Sequence, residues 1–394
     1  MLFTISKINV EKSLPEPVTA FDLKKNKMVE NAMSYWIKNA WYVAMGAVDL
    51  APGQMVSKMI LGEPVLFIRE STGQVHGLQD RCPHRGAPLS LGKVIEDLRV
   101  QCGYHGLEFN MKGQCVRNPH GAGQIPSGCQ IKTYAVLERY GMVWVWPGEG
   151  APDLEKMPRF DMLEPVDLST RSRVDHVRMP VPYEFIVDNL MDLSHVSFLH
   201  DGILGNAHTI AADTHVIQEG DAITVERFMQ RVPPPEYHDL TFLQDGKPVD
   251  LWHNIRWEAP CNLLLDVGAT RPGSPRSEGS GSYAGHFLTP ETENSTLYHF
   301  IAVRLTPIRG TRESEAQVSA RLAELRQLAF AGQDEPMIRA QYENVRRTGG
   351  DMQPKLLSID AGAVRWRRVM DRLIKDEQTQ GMQQSSSEIR LTVR

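Results

Sequence analysis

Two short pairs of metal-binding residues constrain this chain more than anything else in it. They are Cys82-Pro83-His84 and Cys102-Gly103-Tyr104-His105, with seventeen residues between them, a spacing of C-x-H-x17-C-x2-H. Two thiols and two imidazoles in two tight pairs make a metal site. Such pairs sit best on loops held by a rigid sheet. The surrounding sequence must therefore supply a small scaffold that brings the two loops face to face.

Two centres compete for these ligands. A structural zinc site would group cysteine with cysteine and histidine with histidine. Here each pair is mixed. Two thiolates on one iron and two imidazoles on the other is the ligand pattern of a Rieske [2Fe–2S] centre. The flanks agree: Arg85-Gly86-Ala87-Pro88-Leu89 follows the first pair and Gly106-Leu107-Glu108-Phe109 the second. Glycine beside a ligand lets backbone N–H groups approach cluster sulfurs, which tunes the potential. The pattern points to an electron carrier, or to an enzyme fed electrons one at a time.

The 394 residues allow two domains. With 41% hydrophobic and 23% charged residues and a net charge of −5, the chain has neither the basic excess of a nucleic-acid protein nor a basic membrane patch. No apolar run approaches the ~20 residues that span a bilayer. The N-terminus interrupts its apolar stretch with Lys7, Glu11 and Lys12 and lacks a signal-peptide core. A cytoplasmic protein is expected. Of five cysteines, Cys115, Cys129 and Cys261 lie outside the pairs and read as reduced thiols in packed surroundings.

Residues 1–35 are mixed and charged and read as an N-terminal extension. From Trp36, short strand-like runs alternate with Gly and Pro turns, among them Pro64–Ile68, Gln74–Leu78 and Gly141–Trp146. That pattern predicts an all-β domain, a small antiparallel barrel or sandwich, over residues 36–150. The stretch Pro147-Gly148-Glu149-Gly150-Ala151-Pro152 reads as a linker. A catalytic domain is expected over residues 151–380. In it, a helical pattern over 183–200 precedes strand-like runs over 213–305, and helices follow over Glu313–Leu328, Pro336–Arg347 and Ala361–Lys375. Residues 381–394 read as a polar tail. The predicted class is α+β, an antiparallel sheet flanked by helices.

The first helical stretch of the second domain carries D-x2-H-x4-H, namely Asp192, His195 and His200. Five residues apart, the two histidines lie about 140° out of line on an ideal helix. They can share a metal only if the helix ends or bulges between them. Two imidazoles and one carboxylate with open positions form the facial triad of non-haem Fe(II) oxygenases. Asp192 is the local candidate for the carboxylate; Asp334, in Gln333-Asp334-Glu335-Pro336, is favoured. An iron there would be a natural acceptor for single electrons. No G-x-G-x-x-G fingerprint opens a helix, so the chain does not take hydride itself.

Together, in this order, the two motifs resemble the Rieske non-haem iron oxygenases, from about Trp36 to about Leu373. Within them the chain is similar to the oxygenase components of vanillate and dicamba O-demethylases and to chloroacetanilide N-dealkylases. The likeness is carried by Asn39–Ala44, Gln101–Phe109, Val187–Asp192 and His286–Glu291. It implies a helix-grip fold for the second domain. It assigns Cys82 and Cys102 to one cluster iron and His84 and His105 to the other, and His195, His200 and Asp334 to a mononuclear iron. Because Gln333-Asp334 stands where the family often has Glu-Asp, Glu335 is the alternative third ligand. Asp192 would bridge to a Rieske histidine of a neighbouring subunit in a homotrimer, and Asn189 would lie near the iron. His286 matches a substrate-binding histidine of dicamba-type enzymes; His253 and Asn254 are further pocket candidates.

The implied activity is that of a monooxygenase: O2-dependent oxidative N- or O-dealkylation of a substituted aromatic compound, with release of an aldehyde. Ferredoxin and ferredoxin reductase would bring electrons from NAD(P)H. The alternatives are ring cis-dihydroxylation and pure electron transfer. No arginine cluster is visible that demands a carboxylate, so a neutral substrate such as an N-alkoxyalkyl anilide is expected over vanillate.

Overall fold

The computed structural model describes residues 36–96, 98–165, 167–306, 313–349 and 354–392. The expected N-terminal extension, residues 1–35, lies outside the described residues.

Ten strands build the first half: β1 (Tyr42–Gly46), β2 (Met55–Ile60), β3 (Glu63–Arg69), β4 (Val75–Gln79), β5 (Lys93–Ile95), β6 (Arg99–Gln101), β7 (Glu108–Phe109), β8 (Cys115–Arg117), β9 (Thr133–Arg139) and β10 (Met142–Trp146). They form one sheet of order β1-β10-β9-β4-β3-β2 and a smaller one of order β5-β6-β7-β8. All pairings are antiparallel. Every residue of β1 and β10 is buried, as their unbroken apolar and aromatic runs require. The cluster ligands stand on the loops around the smaller sheet. Its core holds Leu66, Leu78, Leu89, Val100 and Phe109 beside Cys82 and Cys102.

Among the described residues of 147–174 there are single 3-10 turns at Leu154–Lys156, Asp161–Leu163 and Leu168–Thr170, and an isolated antiparallel bridge joins Arg171 to Val303. The second half is one seven-stranded antiparallel sheet of β11 (Asp175–Met179), β12 (Thr214–Glu219), β13 (Ala222–Val232), β14 (Val249–Glu258), β15 (Asn262–Thr270), β16 (Ser280–Thr292) and β17 (Ser295–Arg304), in the order β11-β17-β16-β15-β14-β13-β12. Its helices are α1 (Tyr183–Met191), α2 (Glu236–Thr241), α3 (Glu315–Gln327), α4 (Glu335–Arg347) and α5 (Ala361–Thr392). The α+β class expected from the sequence is the class observed.

The long strand β16 joins the halves. Its Thr289 Oγ1 donates to Val43 O at 2.6 Å, and Leu61 N and Gly62 N donate to Pro290 O and Glu291 O, each at 2.9 Å. On the other face of the core, α1 and α5 meet, with Trp366 Nε1 donating to Asp188 Oδ1 at 3.0 Å.

Four elements differ from the sequence expectation. The helix expected over 183–200 stops at Met191. The Asp192 side chain accepts Ser194 N–H at 2.9 Å, a local turn that competes with the helical ladder. The strand-rich stretch contains α2. Between α3 and α4 the chain does not leave the helix but passes through a π-helical segment, Leu328–Asp334. Finally, α5 runs on to Thr392, through the expected polar tail. Its Gln/Ser/Glu run contains no proline to stop it. Among the described residues no helix is long and apolar enough to cross a membrane.

Candidate metal centres

The two cysteine–histidine loops are built alike. Cys82 N donates to Ala87 O at 2.8 Å and Gly86 N to Cys82 O at 2.9 Å; Cys102 N donates to Leu107 O at 2.8 Å and Gly106 N to Cys102 O at 2.9 Å. Gly86 and Gly106 take φ of +71° and +72°, where a side chain would strain the turn. A Cβ on Gly103 would come within 2.6 Å of Leu91 O, so only glycine fits between the second cysteine and Tyr104.

The loops place the thiols inside and the imidazoles outside. Cys82 and Cys102 are buried, whereas His84 is exposed and His105 half-buried, with ring centroids 4.6 Å apart. Burial is the main cause that pushes the Cys82 thiol up to about 11. A thiolate there needs a cation beside it, and an iron supplies that charge. Tyr104 is 64% exposed next to His105, and His120 shares a hydrogen bond with His105 O at 2.8 Å. An inner thiolate pair and an outer imidazole pair fit the two irons of a Rieske cluster.

The second centre gathers from three elements. Pro182 opens α1, whose Phe185, Ile186, Val187, Leu190 and Met191 are buried. The Asp192–Ser194 turn then breaks the helix, and a 3-10 turn at His195–Ser197 leads to His200. This resolves the 140° offset of an ideal helix. The ring centroids of His195 and His200 lie 5.1 Å apart. Asp334 comes from the last position of the π segment. Its Oδ1 lies 3.8 Å from His195 Nε2 and 3.3 Å from His200 Nε2. Among the described residues this trio alone clusters with its ligand atoms all within 4.8 Å of one another.

Each imidazole has its far nitrogen engaged. His195 Nδ1 bonds the Asp192 carbonyl, and His200 Nδ1 bonds Gln333 Oε1 at 2.8 Å. Carbonyl acceptors hold the proton on Nδ1 and leave both Nε2 atoms free to ligate. Burial lowers the His195 pKa, which keeps the ring neutral as a ligand must be. Burial also acts on His200, but the Asp334 hydrogen bond and charge outweigh it and raise its pKa. Asn189 Nδ2 donates to Asp334 Oδ1 at 3.2 Å. Two imidazoles presenting Nε2 and one carboxylate are a donor set for Fe(II).

The neighbouring candidates separate. Glu335 turns to Arg339, whose Nε donates to Glu335 Oε1 at 2.7 Å, so it stands apart from the histidines. Asp192 is occupied by Ser194 N and Oγ and does not join the trio. Gln333 was invisible as a functional residue in the sequence, although its place beside Asp334 is a usable signal once the π turn is known.

The trio faces a cavity lined mostly by apolar side chains, Leu190, Ile203, Leu265 and Phe330 among them. His286 lines it and is fully buried, with Nδ1 bonded to Tyr298 Oη at 2.6 Å and Nε2 without a partner. His253 also lines it, stacked on His238 with Nε2 atoms 2.8 Å apart. Burial holds the His286 and His238 pKa values down at about 4, so both rings are neutral. Asn254 does not join them. One position along β14 from His253, it falls on the opposite face of the sheet, outside the cavity. Tyr237 and Arg326 line the cavity as well, and neither belongs to a motif legible in the sequence.

Residues 40–135 match the Rieske [2Fe-2S] domain, and residues 179–376 match the vanillate O-demethylase oxygenase C-terminal domain. The chain is 33% identical to the oxygenase component of a chloroacetanilide N-alkylformylase of Rhizorhabdus wittichii, covering 87% of this chain and 97% of the relative. It is 34% identical to a vanillate O-demethylase oxygenase subunit of a Pseudomonas species, covering 86% and 96%. The crystal structure of dicamba monooxygenase bound to 3,6-dichlorosalicylic acid superposes with a TM-score of 0.80 at 30% identity, over 87% of this chain and 99% of that one.

The chain belongs to the Rieske non-haem iron oxygenases, in the group of vanillate O-demethylase-type oxygenase components. It is a monooxygenase component whose cofactors are a Rieske [2Fe–2S] cluster and a mononuclear non-haem iron. As a component, it works with a separate source of electrons. These relatives are dealkylases and give no support to ring dihydroxylation.

Proposed function

We propose that this chain catalyses oxidative N- or O-dealkylation of a substituted aromatic compound of the anilide or aryl methyl ether kind. For a methyl group the balance is Ar–X–CH3 + O2 + 2e− + 2H+ → Ar–XH + CH2O + H2O. The observation that carries the reading is the His195–His200–Asp334 trio at the wall of an apolar cavity.

In this reading Cys82 and Cys102 hold the inner cluster iron, His84 and His105 the outer one, and His195, His200 and Asp334 the mononuclear iron. When bound, that iron supplies O2 activation and transfer of one oxygen atom to the C–H bond beside the heteroatom. The protein groups do the rest. Asn189 steadies Asp334 through its amide. Leu190, Leu265 and Phe330 exclude water from the ring. His286 offers its free Nε2 to a polar substituent while Tyr298 fixes the ring tilt. The hydroxylated carbon then loses the aldehyde by collapse of a hemiacetal or carbinolamine.

Ferredoxin and ferredoxin reductase, drawing on NAD(P)H, are the proposed electron donors, and the cytoplasm the proposed compartment. The proposed assembly is a homotrimer in which Asp192 links the mononuclear centre to His84 or His105 of the next subunit. The outward placement of both imidazoles supports an electron path across an interface. Asp192→Asn is expected to keep both metals and cluster reduction but to lose turnover. Full turnover in that variant contradicts the relay. The dealkylation itself is tested by stoichiometry with a surrogate ferredoxin and reductase. One aldehyde is expected per NADH and per O2 consumed; NADH oxidation without aldehyde from any alkylated aromatic contradicts it.

A further inference from the structure

The segment that carries His195 and His200 has little regular structure of its own. Between α1 and β12 the chain forms 3-10 turns at His195–Ser197 and Ala207–Thr209 and an isolated bridge from Asp201 to Gly205, but no helix or strand. Loops of this kind open easily, or fold only when their metal arrives. Here one side chain holds both ends. Arg227 stands on β13, opposite Thr214 of β12 and His253 of β14, and is 2% exposed. Its Nη1 donates to Leu193 O at 3.0 Å, two residues before His195. Its Nη2 is shared at the far end of the loop among Thr209 O at 3.0 Å and Ile210 O and Ala212 O, each at 3.1 Å. Backbone carbonyls are thus the acceptors of this guanidinium. Burial lowers its pKa, and the charge of Asp192 works the other way. Burying a cation is costly. What a planar fork gives in return is contact with two chain segments at once, which the point charge of a lysine does not give. Inside this neck Ser197 Oγ and Thr209 Oγ1 lie 2.8 Å apart. The amides of Leu199, Ile203 and Leu204 donate to the carbonyls of His195, His200 and His200 at 2.8, 3.0 and 3.1 Å. The backbones of both ligands are therefore fixed within the closed loop.

We propose that Arg227 is a positioning residue of the mononuclear centre. It closes the neck of loop 193–212 and so folds the loop in advance, and iron meets a ready pair of imidazoles. A loop closed beforehand spares metal binding the entropy of ordering it. The inference rests on the assignment of the iron to His195, His200 and Asp334. It touches neither metal nor substrate directly, and its effect is carried by the carbonyls of the loop.

The test is hydrogen exchange read by mass spectrometry on the full chain, with the Rieske cluster present and the mononuclear iron removed by a chelator, before and after Fe(II) is added back. In the wild type the amides of Leu199, Ile203 and Leu204 are expected to be protected without iron, with less than about a twofold change on adding it. In Arg227→Lys the same amides should exchange about tenfold or more faster without iron, and Fe(II) at saturation should restore their protection. The Fe(II) Kd of that variant should rise by about tenfold or more while its Rieske absorbance stays unchanged. A purely structural loss would instead speed exchange in β15 and β16 as well, and iron would not reverse it. A wild-type loop that is unprotected until iron binds overturns the proposal, as do unchanged loop exchange and Fe(II) affinity in Arg227→Lys or a loss spread evenly over the sheet. If Arg227→Lys loses its Rieske absorbance, the iron-free exchange of the wild type decides alone: protection supports the pre-formed loop and its absence overturns it. Asp334→Ala, outside the loop, separates the two claims. It should lose iron and keep loop protection; unchanged iron affinity there sinks the ligand assignment and leaves the result for Arg227 standing.

Discussion

His195 and His200 act as equivalent donors because each has its Nδ1 tied to a carbonyl oxygen, one from the backbone of Asp192 and one from the Gln333 amide. The remaining Nε2 atoms then meet at one carboxylate oxygen of Asp334. Nothing comparable surrounds Glu335, which is paired to Arg339 one helical turn on. Two outcomes follow at this scale. His195→Ala should lower mononuclear iron occupancy more than about tenfold while the Rieske absorbance is retained. Glu335→Gln should leave iron occupancy within about twofold, since it removes only one intrahelical ion pair. Metal analysis beside the visible spectrum reads both. Loss of both centres together in His195→Ala would mean that the two sites are not separate.

Two local breaks in helices build the mononuclear site. The Asp192–Ser194 turn ends α1 just before the histidines, and the π segment sets the angle of Asp334 against α3. Inserting a second alanine after Ala331 should add one residue of rotation and turn Asp334 by about 100° against α3. The variant is expected to keep its helical circular dichroism and its cluster and to lose the mononuclear iron; unchanged iron content would show that the π turn is not what aims Asp334. These breaks also mark what the sequence can and cannot convey. The cysteine–histidine pairs are legible because each is a local motif whose spacing alone sets its geometry. His195 and His200 are legible as ligand types. The apolar periodicity, however, runs on past Met191, and the Asp-x-Ser signal that stops the helix is short beside it. Asp334 is legible as a carboxylate ahead of a late helix, but the π turn that aims it is not, because a π turn has no composition of its own. Arg326 and Tyr237 were out of reach, since only the packing of α3 and α2 on the sheet brings them to the cavity.

Across the whole molecule, the buried seam between α1, α5 and the sheet contains one carboxyl at odds with its surroundings. Burial pushes the Glu184 pKa up to about 7, and its Oε2 has no partner. The folded protein therefore holds this proton at pH values where the unfolded chain, near 4.5, has released it. Stability from this group falls as pH rises from about 4.5 to 7 and stays lost above that. Glu184→Gln should raise the Tm at pH 8 by about 2 °C or more and leave it unchanged at pH 4. Equal shifts at both pH values would contradict the buried-proton account. On the same scale, the long β16 ties the cluster-bearing sheets to the catalytic sheet through Thr289, Pro290 and Glu291. The two metal centres thus share one framework while facing different environments, one the surface and one an apolar interior.

The central claim is that this framework cuts an alkyl group from a heteroatom on an aromatic ring. The most direct measurement is product analysis by mass, with the metal-replete protein, a surrogate ferredoxin and reductase, NADH and O2. The substrates are aryl methyl ethers and N-alkyl anilides, with and without an acidic group, and unsubstituted arenes. The account predicts an aldehyde and the matching phenol or dealkylated amine from the alkylated compounds and no diol from the arenes. A cis-diol formed without aldehyde would contradict it.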